Sequence, residues 1–243
     1  MRVLILGGTS GIGWALAQHY LQRGDTVAIA GRDLARVPDT AWQTHPELLT
    51  FQFDIGDQPS LNRALDQFAA DGLDLLIVTA GLYFNTRSHR LDEAATLQMI
   101  NTNVSGLSHA FERAARSMLP RRSGHLVAVA SIAGLLHDYP GASLYSATKR
   151  SVLSLCETYR IALAPFAIAV TAIVPGYVDT AKLRALNNGD ASHKPFLLSE
   201  AQAVERIVDA IEQRKAMAVF PWQMRWLVAV LNKLPRALLK LRR

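Results

Sequence analysis

The chain of 243 residues, half of them apolar, is long enough to bury a full core as one domain. Its only cysteine, Cys156, excludes an internal disulfide, fits a reducing compartment such as the cytoplasm, and reads as a small buried hydrophobe. The net charge of +6 does not make a nucleic-acid surface, because six of the 26 basic residues lie from Trp222 onward with no Asp or Glu among them, and the other 20 match the 20 acidic residues.

Apolar runs rich in branched residues recur along the chain at Val3–Leu6, Thr26–Ala30, Leu49–Phe53, Leu73–Val78, His125–Ala130, Ala167–Val174 and Met217–Phe220. Each reads as a strand buried on both faces. Between them, residues 12–23, 59–70, 92–118, 145–163 and 199–213 read as amphipathic helices, punctuated by Gly24-Asp25, Gly72, Gly124 and Pro165. The alternation predicts an α/β chain: one doubly wound parallel sheet over residues 1–220 with helices on both faces, followed by a basic tail, 221–243. The stretch from Thr180 to Lys194 lacks clear periodicity, and its length suggests a lid. No segment approaches an uninterrupted membrane-spanning length.

The first strand runs into Gly7-Gly8-Thr9-Ser10-Gly11-Ile12-Gly13, and a helix follows at once. That context offers free backbone N–H groups and a helix N-terminus to a pyrophosphate. The spacing is G-x-x-x-G-x-G, distinct from the common dinucleotide fingerprint, and the Gly-Lys-Ser/Thr ending of a P-loop is absent. As a bare pattern it also suits a tight strand-to-helix turn. Far downstream stand Tyr145 and Lys149. A spacing of four puts both on one helix face, where an ammonium beside a phenol lowers its pKa and suits it to acid–base work. Such a pair is also common on solvated helices.

Seven pieces in order resemble the short-chain dehydrogenase/reductase family in its compact form. They are the glycine turn, Asp54-Ile55, Thr79-Ala80-Gly81, Asn103-Val104-Ser105-Gly106, Ser131-Ile132-Ala133-Gly134, the Tyr145–Lys149 motif and Pro175-Gly176-Tyr177-Val178-Asp179-Thr180. The resemblance covers the chain from Arg2 to about Phe220. It implies a Rossmann fold and hydride transfer between a nicotinamide and a carbonyl/alcohol pair. Ser131 is then expected to hydrogen-bond the substrate oxygen, Tyr145 to transfer the proton, Lys149 to tune the phenol and hold ribose hydroxyls, and Asn103 to hold a relay water. The cofactor is expected to lie on Gly7, Thr9, Ser10, Gly11, Ile12 and Gly13. Asp54 and Ile55 are expected at its adenine, and Ala80, Gly81, Tyr145, Lys149, Pro175, Gly176, Val178 and Thr180 further along it.

The chain departs from the family pattern at Thr79, where Asn is usual, and at Leu6, where Thr is usual. Both positions concern strand-end packing more than chemistry. The Ser131–Tyr145 interval is one residue longer than the commonest form, with His137, Asp138 and Tyr139 inside it. After the second strand, Gly31-Arg32-Asp33 places a basic residue where the 2′-phosphate of NADP is recognised, so NADP is the expected cofactor and Gly31→Asp an expected route toward NAD. Asp33 reads as a helix cap. The other histidines show no metal-ligand grouping, and no metal is expected.

An apolar substrate is expected from Leu135, Leu136, Tyr139, Leu183, Leu186, Phe196 and Leu197 in the loops that flank the site. Family members commonly assemble through helices matching 92–118 and 145–163, so a homo-oligomer is expected. Two other readings remain open: a dinucleotide sensor without catalysis, and a lipid-surface protein led by its tail. In that tail Trp222, Trp226, Leu227, Val230, Leu231 and Leu234 recur at helical spacing beside Arg225, Asn232 and Lys233. The apolar face suits a bilayer interface, the protein's own core or another subunit.

Overall fold

The computed structural model describes residues 1–83, 93–136 and 143–233, side chains 42 and 43 excepted. In chain order the elements are β1 (Arg2–Leu6), α1 (Gly11–Gln22), β2 (Thr26–Gly31), α2 (Asp39–Thr44), β3 (Leu49–Gln52), α3 (Gln58–Ala69) and β4 (Leu75–Val78). There follow α4 (Glu93–Ile100), a π-helical turn (Asn101–Ser105), α5 (Gly106–Met118), β5 (Gly124–Val129), α6 (Leu144–Leu163) and β6 (Ile168–Pro175). The described chain closes with α7 (Ala181–Ala185), α8 (Glu200–Glu212), β7 (Met217–Phe220) and α9 (Trp222–Lys233).

Every strand pairing is parallel, in the order β3-β2-β1-β4-β5-β6-β7. Alternate residues along each strand feed two separate cores. Leu4, Leu6, Leu76, Val78, Leu126 and Ala128 pack on the side of α3, α5 and α6. Val3, Ile5, Leu75, Ile77, Val127 and Val129 pack on the side of α1 and α8. Burial on both faces explains why each strand reads as a nearly unbroken apolar run. The predicted doubly wound sheet is therefore the observed one. Strand order reverses between β1 and β4, and their carboxyl ends open the crevice where such sheets bind ligands.

Two differences from the sequence reading have plain causes. Ala167 begins no strand because its φ is +57°, and β6 starts one residue later. The single helix expected over 92–118 is interrupted, within its described part, by the π turn at Asn101–Ser105. His125, read as structural, is buried in β5 with Nε2 2.8 Å from Thr171 Oγ1. Burial, aided by the Arg214 charge, pushes the imidazole down to about 4, so it is neutral.

Candidate active site

The glycine turn is shaped by steric exclusion. Gly7 has φ +91° and Gly11 φ +52°, where other residues are strained. A methyl group on Gly13 would stand 2.2 Å from the Gly7 carbonyl oxygen, and one on Gly7 2.5 Å from the Ala80 nitrogen. Ser10 occupies the N-cap of α1 in an extended conformation without a side-chain cap bond. Ile12 is half-buried against the second core. The turn is pinned to its neighbours: Gly7 and Gly8 both donate to Ala30 O, at 2.8 and 3.1 Å, and Ala80 N donates to Leu6 O at 2.9 Å.

Thr79, one of the family departures, laces the two central strands at their ends. Its hydroxyl lies 3.2 Å from Leu6 O and 3.0 Å from Gly7 O. A hydroxyl just past the end of β4 thus does the stitching that the unusual Leu6 cannot. At the end of β2, Thr9 is buried against Gly31, and a Cβ on Gly31 would sit 2.6 Å from Thr9 Oγ1. A side chain at Gly31 therefore requires Thr9 to shift, a packing cost that Gly31→Asp has to meet.

Arg32 projects from the end of β2 with its side chain 55% exposed and Nη1 3.9 Å from Asp54 Oδ2. Asp33 caps the short turn after it through Ala35 N, as the sequence suggested. Asp54 accepts from Gly56 N at 2.8 Å, whereas Ile55 is buried in the core. Beside Asp54 opens a hollow of about 450 Å³ bounded by Gly56, Leu97, Gln98, Asn101 and Thr102. Pro175 ends β6, Gly176 N donates to Phe220 O at 2.7 Å, and Val178 is buried opposite Leu198. Thr180 Oγ1 accepts from Leu183 N at 3.1 Å as the N-cap of α7. A Cβ on Gly11 would meet its methyl at 3.4 Å. The stretch without periodicity after Thr180 thus begins with a capped helical turn seated on the glycine loop.

The second half of the site stands at the end of β5 and the start of α6. Ser143 and Ser146 form a reciprocal capping box that fixes the first turn of α6, which carries Tyr145 and Lys149. Ser131 lies near enough to the Tyr145 phenol to act on it, and its Oγ accepts from Ala133 N at 3.2 Å. Lys149 is 5% exposed, donates to Val129 O at 2.9 Å, and has its Nζ 5.9 Å from the centre of the Tyr145 ring.

The electrostatics differ from the expected tuning. Burial pushes the Tyr145 phenol up to about 12, the neighbouring Ser131 hydroxyl opposes this, and nearby Tyr83 adds to it. Lys149 contributes no lowering here. Its own ammonium is pushed down to about 8 by burial and then by the cation of Lys182.

Asn103 is buried in the π turn with both ends of its amide engaged. Oδ1 accepts from Leu82 N at 2.7 Å, and Nδ2 donates to Leu82 O at 2.9 Å and to Thr148 Oγ1 at 3.0 Å. It ties the exit of β4 to α6, and a Cβ on Gly81 would stand 3.5 Å from its Oδ1 and 3.3 Å from Lys149 Nζ.

Two residues of the site carry no sequence motif. Tyr83 stacks edge-on against Tyr145, ring centres 4.9 Å apart. Lys182 reaches from α7 to Gly81 O at 2.9 Å, and burial, with Arg32 and Arg36 nearby, lowers its pKa. Only their placement after Gly81 and Thr180, two recognised segments, could have pointed to them. His137, Asp138 and Tyr139 lie outside the described residues.

The crevice therefore joins a phosphate-sized glycine turn, several cations and a serine–tyrosine–lysine set. This is the arrangement of a dinucleotide-binding oxidoreductase. The chain belongs to the short-chain dehydrogenase family, whose profile matches residues 1–191. An uncharacterized oxidoreductase of Myxococcus xanthus is 34% identical, over 91% of this chain and 87% of its own. Another from Staphylococcus aureus is 29% identical, over 89% and 93%.

Among solved structures, the closed form of a serine dehydrogenase complexed with NADP+ superposes with a TM-score of 0.78 at 26% identity, covering 87% of this chain and 89% of that one. A structure described as ElxO with NADP bound superposes with a TM-score of 0.77 at 24% identity, covering 90% and 96%, and supports the fold.

Proposed function

We propose that this oxidoreductase uses NADP(H) and acts on a carbonyl/secondary-alcohol pair, with reduction of a hydrophobic ketone as its working direction. The observation that carries the reading is the convergence of Ser131, Tyr145 and a buried Lys149, whose Nζ lies 5.9 Å from the centre of the Tyr145 ring. The residues present fit a nicotinamide dinucleotide. Gly7 and Gly13 let the turn pack tightly on Ala80 and on itself ahead of the helix N-terminus, and Arg32, Lys182 and Lys149 set positive charge along the crevice. When bound, the cofactor supplies or accepts hydride at C4 of its nicotinamide.

The remaining work falls to the chain. A phenol near 12 stays protonated at neutral pH, the form that gives a proton to a carbonyl oxygen as it becomes an alcohol. Ser131 hydrogen-bonds the same oxygen and steadies its developing charge. Lys149, at about 8, is mostly cationic at neutral pH and is placed to hold the ribose hydroxyls of the cofactor. Asn103 acts by holding Leu82 and Thr148 in place, so a relay water at its side chain has to share an amide already bonded at both ends. Arg32 pairs with the 2′-phosphate, a role supported by its position and exposed guanidinium. Leu186 and Phe196, 44% and 47% exposed after Thr180, favour an apolar substrate.

The test is oxidation of NADPH against a panel of ketones, with Tyr145→Phe as the decisive variant. Apolar ketones are expected to be reduced, with tighter binding of NADPH than of NADH. Tyr145→Phe is expected to lose about 10²–10⁴-fold in turnover while still binding NADPH. Near wild-type turnover in that variant refutes the mechanism. Equal dissociation constants for the two cofactors refute the choice of NADP.

A further inference from the structure

Helix α9 carries two apolar faces rather than one. Met224 and Val228, each 5% exposed, enter the core shared with α5 and α6. Met224 lies close enough to Gly176 that a Cβ there would meet its Cγ at 3.1 Å, and Asn232 Nδ2 donates to Leu135 O at 2.8 Å. The inner face is thus satisfied by the protein. At about 100° per residue, Trp222, Trp226 and Val230 fall on the opposite side. They are 64%, 66% and 52% exposed, and Leu227 at 40% widens the stripe. The sequence reading placed the two tryptophans with Leu231 on one face; the structure separates them, because Met224 and Val228 are the residues that dock.

The charges on this helix have one sign. Arg225 and Lys233 are exposed on the same helix, and Arg236, Lys240, Arg242 and Arg243 follow in sequence, with no acidic residue from Trp222 to the last position. We propose that the outer face of α9 seats in the interface of an anionic lipid bilayer while its inner face stays on the core, making the protein peripherally membrane-bound. Indoles suit the headgroup layer, and basic residues beside them draw on anionic lipid. A second copy fits less well, because a two-fold contact through this face brings Arg225 and Lys233 toward their own copies. The helix is also tied to Leu135, four residues after Ser131, so the seat lies on the substrate side of the fold. The proposal stands independently of the catalytic reading.

The experiment is co-sedimentation of the full chain with vesicles of phosphatidylcholine alone or mixed with phosphatidylglycerol, at low and high salt. Deleting the chain after Phe220 is a poor variant, since it strips Met224 and Val228 from the core. Trp222→Ser/Trp226→Ser and Arg225→Glu/Lys233→Glu alter exposed side chains instead, and circular dichroism with a thermal melt reports whether each folds. Sedimentation with the anionic vesicles, weakened by salt and reduced at least about tenfold in both folded double variants, is the expected result. Absence of sedimentation by the unmodified chain, or equal sedimentation by the folded variants, overturns the proposal. So does a concentration-dependent dimer that Trp222→Ser/Trp226→Ser dissolves, without vesicle binding, because a second copy then covers the face.

Discussion

At the glycine turn the chain makes room by removing side chains, and at Tyr145 it crowds them together. A single methyl on Gly13 reaches within 2.2 Å of a carbonyl, whereas Tyr145, Ser131, Tyr83 and Lys149 crowd around one phenol. The first region is governed by shape, with backbone groups and a helix end for ligands. The second is governed by desolvation, which raises one pKa to about 12 and depresses its neighbour to about 8. Substitutions should therefore act in different currencies at the two ends: occupancy at the first, proton affinity at the second.

The largest expected effect tests shape. Gly13→Ala forces the Gly7 carbonyl to move, and overpacking of this kind costs about 1–3 kcal/mol. NADPH titration is expected to show binding lost or greatly weakened, with a lower melting temperature. Binding within roughly twofold of the unmodified chain contradicts the steric account.

Next comes the proton-affinity end. Lys149 keeps its cation below about 8 and loses it above, so kcat/KM for reduction should be level below that pH and fall beyond it. Because Lys182 contributes to the depression, Lys182→Met is expected to move the inflection to higher pH. An unmoved inflection would assign the titration to another group.

The narrowest effect belongs to Arg32, its side chain 55% exposed, because it is confined to one of the two cofactors. Arg32→Ala should weaken NADPH by about 1.5–3 kcal/mol at most, as for a hydrogen bond to a charged group, and NADH far less. Comparable losses for both cofactors would place Arg32 outside the phosphate contact and leave shape as the whole of the recognition there.

The sheet was legible because strands buried on both faces must be apolar throughout, and the recurrence of such runs carries the topology with it. Helix caps such as Ser143 and Ser199 mark ends within a residue or so. Short elements were not legible: α2 and α7 have six and five residues, too few to show a period. The candidate site was readable where a motif names a residue, and unreadable where a contact is made by position alone, as with Tyr83 and Lys182. Closeness in space also bears on two inferences from sequence. Thr9 stands where a side chain at Gly31 would go, and burial acts on the Tyr145 phenol in the sense opposite to a neighbouring lysine.

The π turn at Asn101–Ser105 gives the long helical segment a phase of its own. Buried positions along it include Met99, Asn103, Leu107, Phe111 and Ala115, one every fourth residue. On a regular helix each step of four overshoots a full turn by about 40°, so the stripe would wind away from the sheet. A wider turn takes up part of that excess. Taking one residue out of 101–105 would wind the segment into an ordinary helix and leave its two halves demanding different orientations. The α5 half has the larger buried face and would win, carrying Asn103 away from Leu82. In this fold the cleft's geometry is thus stored as a counting irregularity, one that a length-changing mutation can erase without touching any residue that does chemistry.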